Sequence, residues 1–273
     1  MSRICLMNGS PAPPHISVYD TGFLRGHAAF EYLRTYESVP FHLDDHITRL
    51  EQSCERLGIA CPTDLVRESV ASGIELCGAK SIGIKIVVTA GESHDGFSYG
   101  GRPEVILLAE ALTWKRSPDI ALLTMPFERP LHECKTLFYA PAIVGMREAK
   151  RAGADDVLFV SREGMVLETG RANFFCVVGG RVVTPRNGVL GGVTRKIVSE
   201  LLGAEERDVS VEEVMGCEGA FITSTTQEIV PVTHIAGVEM KASRDVALAI
   251  DLFDEYVKNF LKLRCTNFSD CTM

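Results

Sequence analysis

The sequence predicts a mixed α/β fold divided into two domains. Apolar runs of strand length and amphipathic segments of helical period occur in both halves of the chain. At 273 residues the chain suits one large or two small domains and can bury a substantial core. The polar, helix-breaking segment Lys115-Arg116-Ser117-Pro118 indicates a boundary. We therefore predict a small α/β domain over residues 1–117, a linker over 118–127 and a larger domain over 128–273.

The first half of the chain predicts a helix and a long hairpin. The helix begins near Leu43, with Asp44 or Asp45 as its N-cap, and Gly58 ends it. Its apolar residues recur at helical spacing on one face: Leu43, Ile47, Leu50, Cys54 and Leu57. Two apolar runs of strand length flank a Gly-rich segment and are predicted to pair as a hairpin: residues 84–88 and 105–109.

The second half predicts a succession of strands and helices. A helix begins at Pro141, runs to residue 151 and is closed by Gly153. The further predicted elements are strands at 157–160 and 174–178, a hairpin turn at 178–182, and helices over 194–202 and from the capping residue Ser243 to about residue 263.

The composition excludes several classes of protein. The formal net charge of −8 argues against a nucleic-acid binder, which shows a basic surface. The apolar run at the N-terminus is too short for a signal peptide, and no apolar stretch reaches the roughly 18 residues that span a membrane. The nine cysteines are scattered without a CxxC pair, so we expect reduced thiols and no metal site. These features predict a cytoplasmic protein without a membrane or nucleic-acid partner.

Glu168 is an acidic residue placed between two apolar runs, residues 165–167 and 174–178. Burial of an isolated carboxylate is costly, so we expect a cationic partner or a hydrogen-bond donor beside it. Lys135 precedes it in the chain. A pyridoxal phosphate enzyme needs such a pair, because the lysine forms the Schiff base and the acid keeps the pyridine nitrogen protonated. The pair by itself is common in chains of this size.

Three further features suit a phosphate group. In Gly191-Gly192-Val193-Thr194-Arg195, glycines lead into a helix N-terminus, which offers N–H groups and a favourable dipole to an anion. Thr223-Ser224-Thr225-Thr226 places hydroxyl groups at the end of a predicted strand, and Arg49 follows His46 by one helical turn. Each feature also has an ordinary explanation, which is a capped helix, a turn or a solvated arginine respectively.

A series of motifs runs in order along the chain. It begins with Asp20-Thr21-Gly22-Phe23-Leu24-Arg25-Gly26, Phe30-Glu31 and His46-Ile47-Thr48-Arg49-Leu50, and it continues through Lys135-Thr136-Leu137, Glu168 with Asn173, and the two phosphate-type segments. Together these motifs resemble the class IV aminotransferases, which are fold-type IV pyridoxal phosphate enzymes. The family holds branched-chain aminotransferases, D-amino-acid aminotransferases and aminodeoxychorismate lyase. The resemblance covers roughly residues 5–262.

The resemblance implies a small α/β N-terminal domain and a larger pseudo-barrel C-terminal domain. It implies pyridoxal 5′-phosphate as cofactor, Lys135 as the catalytic Schiff-base lysine and Glu168 as the partner of the pyridine nitrogen. The other cofactor-binding residues that it implies are Arg49, Asn173, Val193, Thr194 and Thr225. Amino acids and 2-oxo acids are the implied substrates, and the implied assembly is a homodimer with the active site at its interface.

The choice of substrate depends on how its carboxylate is bound. Ala90 stands where common D-amino-acid aminotransferases carry an arginine, and Phe30 where they carry a tyrosine. The Tyr-Arg pair of branched-chain enzymes is also missing. Arg25 and Arg171, however, stand inside motifs where no arginine is generally needed, and a guanidinium matches a carboxylate. This combination is similar to an atypical group of D-amino-acid transaminases.

We therefore predict a transaminase of D-alanine or D-glutamate type with a 2-oxo acid acceptor. Its predicted substrate-binding residues are Arg25, Phe30, Arg171 and Thr226. A branched-chain L-amino-acid aminotransferase and an aminodeoxychorismate lyase remain alternatives. For the arginines, the alternative is structural: Arg171 pairs with an acid such as Glu163, and Arg25 with an acid across the interface.

Overall fold

The computed structural model describes residues 3–113 and 116–269, with the backbone alone over 264–269. The contacts of the chain divide it into two compact units. The first comprises Met1–Trp114 and Cys134–Phe138, and the second comprises Lys115–Glu133 and Tyr139–Met273. The short segment that carries Lys135 therefore belongs to the first unit, although its flanking residues belong to the second.

The described part of the first unit is built on an antiparallel sheet with three helices. The strands are β1 (Ile4–Met7), β2 (Ser10–Pro11), β3 (Ala28–Tyr36), β4 (Val39–Pro40), β5 (Ile82–Thr89) and β6 (Glu104–Ala111), and the helices are α1 (Thr21–Arg25), α2 (Leu43–Arg56) and α3 (Thr63–Cys77). The strand order is β2-β1-β6-β5-β3-β4. Strands β5 and β6 pair antiparallel along their whole length, so the predicted hairpin is confirmed.

The core of the first unit lies between one face of this sheet and helices α2 and α3. The predicted apolar face of α2 is buried there, with Ile47, Leu50 and Cys54 almost fully covered. The predicted N-cap is wrong. His42 occupies that position in a left-handed conformation, and its Nδ1 lies 2.7 Å from Oδ2 of Asp45, which stands in the first turn. The helix dipole favours an acid in the first turn as well as at the N-cap. The pair Asp44-Asp45 in the sequence therefore does not distinguish the two positions.

Over residues 116–133 and 139–269, the second unit is built on a larger curled sheet with four helices. The strands are β7 (Ile120–Pro126), β8 (Asp156–Val160), β9 (Val166–Thr169), β10 (Asn173–Val178), β11 (Arg181–Thr184), β12 (Glu205–Glu206), β13 (Gly219–Ser224), β14 (Glu228–Ile235) and β15 (Val238–Glu239). The helices are α4 (Ala140–Arg151), α5 (Val193–Leu202), α6 (Val211–Met215) and α7 (Arg244–Ser269).

Six of these strands close into a ring. They follow one another as β10-β13-β14-β7-β8-β9, and β9 pairs back to β10 through Glu168 and Asn173. Alternate residues of the ring strands, among them Phe174, Ile222 and Val230, contribute to one core cluster. The mixed α/β class and the larger pseudo-barrel are therefore confirmed.

Strand β7 occupies most of the segment that was predicted as a linker, residues 118–127. It pairs in parallel with β8 and β14, and Leu122 is buried in the core. The sequence signal was misleading because the polar segment before β7 looks like a boundary, whereas the partners of β7 lie far away in the chain. Residues 120–126 are thus part of the ring and not a linker.

The other predicted elements of the second unit are present. Helix α4 has proline in its first turn, and the β10–β11 turn uses Gly179 and Gly180 in left-handed conformations. Ser243 Oγ accepts the N–H of Asp245 at 3.2 Å, as expected of a residue that caps α7. Within residues 3–113 and 116–269, no helix is long and apolar enough to cross a membrane.

Candidate active site

Lys135 lies beside strand β3 and is held there through its backbone. Its carbonyl oxygen accepts the N–H of Phe30 at 2.8 Å, and its own N–H donates to Ser53 Oγ at 3.1 Å. The next residue, Thr136, forms an antiparallel bridge with Ala29. The Lys135 ammonium lies 4.6 Å from the centroid of the Phe30 ring. The lysine is therefore positioned by β3 and α2, and its cation is stabilised by an aromatic face.

A buried ionic network, formed by Glu31, His46 and Arg49, joins β3 to α2. Arg49 Nε donates to Glu31 Oε1 at 2.7 Å, and Arg49 Nη2 donates to Oε2 at 2.8 Å. His46 Nδ1 lies 2.8 Å from the same Oε2. The Glu31 side chain is completely buried, and the other two are almost so. Arg49 is thus held by a bidentate ion pair and is not the solvated arginine of the alternative interpretation.

The pKa values of the network define its charges. Burial alone would raise the pKa of Glu31, but the Arg49 guanidinium outweighs this effect and holds that pKa well below its ordinary value. Burial lowers the pKa of His46. The hydrogen bond to Glu31 and the charge of Glu31 act in the opposite direction, and the charges of Arg49 and Lys135 act in the same direction as burial. At neutral pH the network therefore contains an ionised Glu31, a charged Arg49 and a neutral His46 that donates its Nδ1 proton to the carboxylate.

Glu168 of the second unit has the cationic partner that its burial requires. Arg129 donates to Oε1 through Nη2 at 2.7 Å and through Nε at 3.1 Å. The other carboxylate oxygen accepts the N–H of Leu190 at 3.0 Å and the amide of Asn173 at 3.3 Å. The expectation that this carboxylate has a cation and hydrogen-bond donors is confirmed. The cation itself, Arg129, was not predicted.

The pairing of β9 with β10 places Glu168 opposite Asn173. Directly paired residues share a face of the sheet, and Asn173 in turn pairs with Thr223 of β13. On its other side β9 has a bulge: Val160 pairs with Val166 and Leu158 with Thr169, so β9 has one more residue than β8 between these pairs.

The N-terminus of α5 lies next to this row of residues. Its N-cap is Gly192, and no side chain caps the helix. A Cβ atom built on Gly192 would lie 2.0 Å from Asn173 Oδ1, so only glycine allows this close approach. Val193 and Thr194 are buried in the first turn. The helix therefore presents backbone N–H groups, which suit an anion, beside Asn173.

The hydroxyl groups at residues 223–226 are divided between a strand end and a turn. Ser224 Oγ accepts the N–H of Gln227 at 3.0 Å and lies 3.3 Å from Thr226 Oγ1. Thr225 is in the turn between β13 and β14. Thr223 Oγ1 is buried, and among the described residues it has no hydrogen-bond partner. A buried hydroxyl of this kind is suited to an acceptor from outside the chain.

Arg25 and Arg171, predicted to bind substrate, have different surroundings. Arg25 ends α1, and its guanidinium lies 4.8 Å from the centroid of the Phe97 ring. Arg171 Nε lies 3.4 Å from Oδ2 of Asp156, which is buried, whereas the Arg171 side chain is 59% exposed. Arg171 therefore has an acidic partner, as the structural alternative predicted, but that acid is Asp156 and not Glu163.

The family of the chain follows from its sequence match. The model of the family described as amino-transferase class IV matches residues 28–235, which include Lys135 and Glu168. The chain belongs to the class IV aminotransferase family. Pyridoxal 5′-phosphate is the cofactor of this family and of this chain.

Relatives within the family differ in their stated activities. The chain is 29% identical over 241 residues to a putative branched-chain-amino-acid aminotransferase of Methanocaldococcus jannaschii, covering 81% of this chain and 83% of the relative. It is 25% identical over 250 residues to a D-alanine aminotransferase of Bacillus licheniformis, with the same two coverages. It is 27% identical over 267 residues to an aminodeoxychorismate lyase of Bacillus subtilis, covering 90% and 91%. These relatives all belong with class IV aminotransferases, but their stated substrates differ.

A solved structure with the same fold is the fold IV transaminase CpuTA1 of Curtobacterium pusillum. The TM-score is 0.84 at 25% identity, and the match covers 93% of this chain and 98% of the other. The fold-type IV architecture expected of this class IV aminotransferase is therefore confirmed.

The residues of this class IV aminotransferase suit its cofactor. The uncapped start of α5 and the buried hydroxyl of Thr223 suit a phosphate group, because both offer hydrogen bonds that the described residues do not satisfy. The carboxylate of Glu168 suits a protonated pyridine nitrogen. Half-buried Lys135 has an amine beside the aromatic face of Phe30.

Three residues of the aminotransferase sites were missed by the sequence interpretation: Glu31, Arg129 and Asp156. Glu31 could have been found, because it is an acid in an apolar strand and the reasoning applied to Glu168 applies to it equally. Arg129 and Asp156 carry no comparable local signal. Their partners, Glu168 and Arg171, lie 39 and 15 residues away in the chain.

Replacement of Gly192 by alanine is expected to weaken cofactor binding by roughly 10- to 100-fold. The new methyl group would displace Asn173, and overpacking of this kind costs about 1–3 kcal/mol. Titration of the apoenzyme with pyridoxal phosphate, followed by absorbance, measures the change. Gly191→Ala is the matched control, since a Cβ atom there meets nothing within 4 Å. Equal losses in the two variants would contradict a specific role for Gly192.

Proposed function

We propose that this protein transfers the amino group of a D-amino acid, of the D-alanine or D-glutamate type, to a 2-oxo acid. The proposal rests on the environment of Arg171, three residues after Glu168. It is supported by the similarity to a D-alanine aminotransferase. We also propose that the enzyme is a homodimer and that Arg25 and Thr226 contribute to the substrate site.

Arg171 has an exposed side chain that is paired with a buried acid, Asp156. Among the described residues its ion pair to Asp156 uses Nε, and the side chain remains 59% exposed. Asp156 also accepts the N–H of Val157 at 2.8 Å and is packed against Gly170, where a Cβ atom would lie 2.7 Å from its Oδ1. Burial raises the pKa of Asp156, and the charge of Arg171 opposes this effect. An arginine that is held at one edge can present its other edge to a substrate carboxylate.

Ala90 stands at the position where common D-amino-acid aminotransferases carry an arginine, so another residue must bind the substrate carboxylate here. It directly follows β5, which ends at Thr89, and is completely buried within the core of the first unit. An arginine would not fit there without disrupting the core. The cation that binds the substrate carboxylate must therefore come from elsewhere in the chain, and we assign this role to Arg171.

Different residues of this chain would carry out proton transfer and cofactor binding. We propose that Lys135 Nζ takes the proton from the substrate Cα and returns it, as a general base and acid. When bound, pyridoxal phosphate supplies an electron sink that makes this Cα–H acidic. Glu168, held by Arg129, would bind the pyridine nitrogen in its protonated form. The start of α5 and Thr225 would bind phosphate, as would Arg49, whose guanidinium is oriented by Glu31.

Two other activities compete with this proposal. A branched-chain L-amino-acid aminotransferase is favoured by the relative at 29% identity. An aminodeoxychorismate lyase is favoured by the relative that covers 90% of the chain. Both would use the same lysine and cofactor, so only substrates distinguish them.

A screen of D- and L-amino acids with pyruvate and 2-oxoglutarate is expected to show turnover of D-alanine and D-glutamate. Oxo-acid formation measures the reaction. Turnover of L-leucine with no reaction of either D-amino acid would refute the proposal in favour of the branched-chain activity. Release of pyruvate from aminodeoxychorismate without an acceptor, with no transamination, would favour the lyase.

The variant Arg171→Ala tests the residue that carries the proposal. We expect a higher KM for every amino acid while the absorbance of the bound cofactor persists, because a carboxylate ligand is lost and the cofactor's ligands are not. Loss of the bound cofactor in this variant would instead show that Arg171 and Asp156 form a structural pair.

A further inference from the structure

A second lysine shares the aromatic ring that contacts Lys135. Lys85 Nζ lies 5.2 Å from the centroid of the Phe30 ring, and Lys135 Nζ lies 4.6 Å from the same centroid. The two ammonium groups are therefore no further apart than these two distances combined. Two cations gathered at one ring repel each other, so the arrangement calls for an anion nearby.

The register of the sheet explains why Lys85 points to this ring. Lys85 pairs with Tyr32 across β5 and β3, and Phe30 lies two residues from Tyr32 on the same strand. Residues opposite each other in an antiparallel pair, and residues two apart, share a face. Lys85 is thus on the face of Phe30, opposite the face on which Ile84 and Ile86 enter the core.

The acids nearest to Lys85 along the sheet are bound to other cations. Glu31 is on the opposite face and pairs with Arg49 and His46. Glu110, on the same face as Lys85, pairs with Arg3 at 3.0 Å. Among the described residues Lys85 takes part in no salt bridge, and it is only half exposed. A half-buried ammonium without a carboxylate partner is unusual and suits an anionic ligand.

We propose that Lys85 binds the second carboxylate of a dicarboxylic substrate and so makes the enzyme prefer dicarboxylic amino acids and 2-oxo acids. This inference rests on the proposed function and narrows it from D-alanine toward D-glutamate and 2-oxoglutarate. The reacting end of the substrate must reach Lys135. Lys135 Nζ and Lys85 Nζ lie 4.6 and 5.2 Å from the centroid of the same Phe30 ring. A five-carbon substrate that reacts at Lys135 can therefore extend along this ring and direct its far carboxylate toward Lys85.

The variant Lys85→Met tests the proposal, since methionine keeps an apolar stem against Phe30 and removes the charge. The dissociation constants of glutarate and pentanoate for the holoenzyme are measured by calorimetry. These ligands have the same number of carbons and differ in the second carboxylate. We expect glutarate to bind roughly 10- to 100-fold more weakly to the variant, with pentanoate nearly unchanged, because a charge-assisted hydrogen bond is lost. In the same variant the KM for 2-oxoglutarate should rise, and the KM for pyruvate should stay nearly unchanged.

Two further variants complete the test. Lys85→Arg should keep the preference for glutarate, and Lys80→Met is the control, because Lys80 is an exposed lysine of the same unit that pairs with Glu37. Equal weakening of both ligands in Lys85→Met, or a wild-type enzyme that binds glutarate no better than pentanoate, would overturn the proposal. A further outcome is that the wild type turns over no D-amino acid while Lys85→Met lacks the preference for glutarate that the wild type shows. In that case the proposed D-specificity is wrong and the role of Lys85 is supported.

Discussion

Replacement of Lys135 by alanine is expected to reduce transamination by at least about 10³-fold. The variant lacks the amine that moves the substrate proton, and a positioned general base contributes roughly 10²- to 10⁴-fold by itself. Lys135 is held by Phe30 and Ser53 through its backbone, and these bonds do not depend on its side chain. The variant should therefore fold normally. Steady-state rates and thermal unfolding measure the two effects.

The identity of the lysine can be checked without measuring activity. Borohydride reduction of the wild-type holoenzyme, followed by peptide mass spectrometry, should place the cofactor on the peptide that contains Lys135. The variant Lys80→Ala should be labelled in the same way as the wild type. A label on Lys85, the other lysine at the Phe30 ring, would contradict the assignment.

Replacement of Glu31 by glutamine is expected to lower the free energy of unfolding by about 3–5 kcal/mol. This is the range found when one partner of a buried ion pair is removed, because the other charge is left uncompensated. Here the uncompensated charge is that of Arg49, and the glutamine amide offers one acceptor oxygen where two oxygens now accept from Arg49 and His46. Denaturant unfolding measures the change, and the affinity for pyridoxal phosphate should fall with it.

The same network predicts how stability depends on pH. The pKa of Glu31 is lowered in the folded protein, so its contribution is complete above the unfolded value of about 4.3 and is lost as pH falls through the folded value. The pKa of His46 is also lowered, so the unfolded chain binds more protons below about pH 6.5 and the folded state weakens there. Wild-type stability should therefore decrease on acidification in both ranges.

A surface acid provides the control for Glu31. Glu37 pairs with Lys80, and both side chains are more than half exposed. Glu37→Gln should change the free energy of unfolding by no more than about 1 kcal/mol. If Glu31→Gln were as stable as Glu37→Gln, or if its acid sensitivity matched that of the wild type, the buried network would not have the role assigned to it.

Local signals account for the elements that the sequence predicted. The apolar runs at 84–88 and 105–109 lie within β5 and β6, and the two glycines after Val178 form the β10–β11 turn. These features depend on neighbouring residues, whose conformational preferences act within a few positions. The segment 118–127 was misjudged because β7 is stabilised by two strands distant in sequence.

In the candidate active site, too, the sequence predicted individual residues but not the distant residues that contact them. The sequence predicted that Glu168 is a buried acid in need of a cation, but not that the cation is Arg129. It indicated an arginine near the cofactor strand, but it suggested Glu163 where the structure places Asp156 beside Arg171. It predicted a substrate-binding role for Phe30, but not that two ammonium groups gather at its ring.

The sequence by itself determined the β5–β6 hairpin, the helices α2, α4, α5 and α7 and the glycine-led start of α5, because these follow from local periodicity and short signals. It also determined the family and the cofactor, through the ordered series of motifs. Only the tertiary structure decided which charges neutralise one another and which remain available for a ligand. The reason is physical. The cost of burying a charge demands a partner but does not name it, and the partner is whichever residue the packing of distant strands and helices brings within about 3 Å.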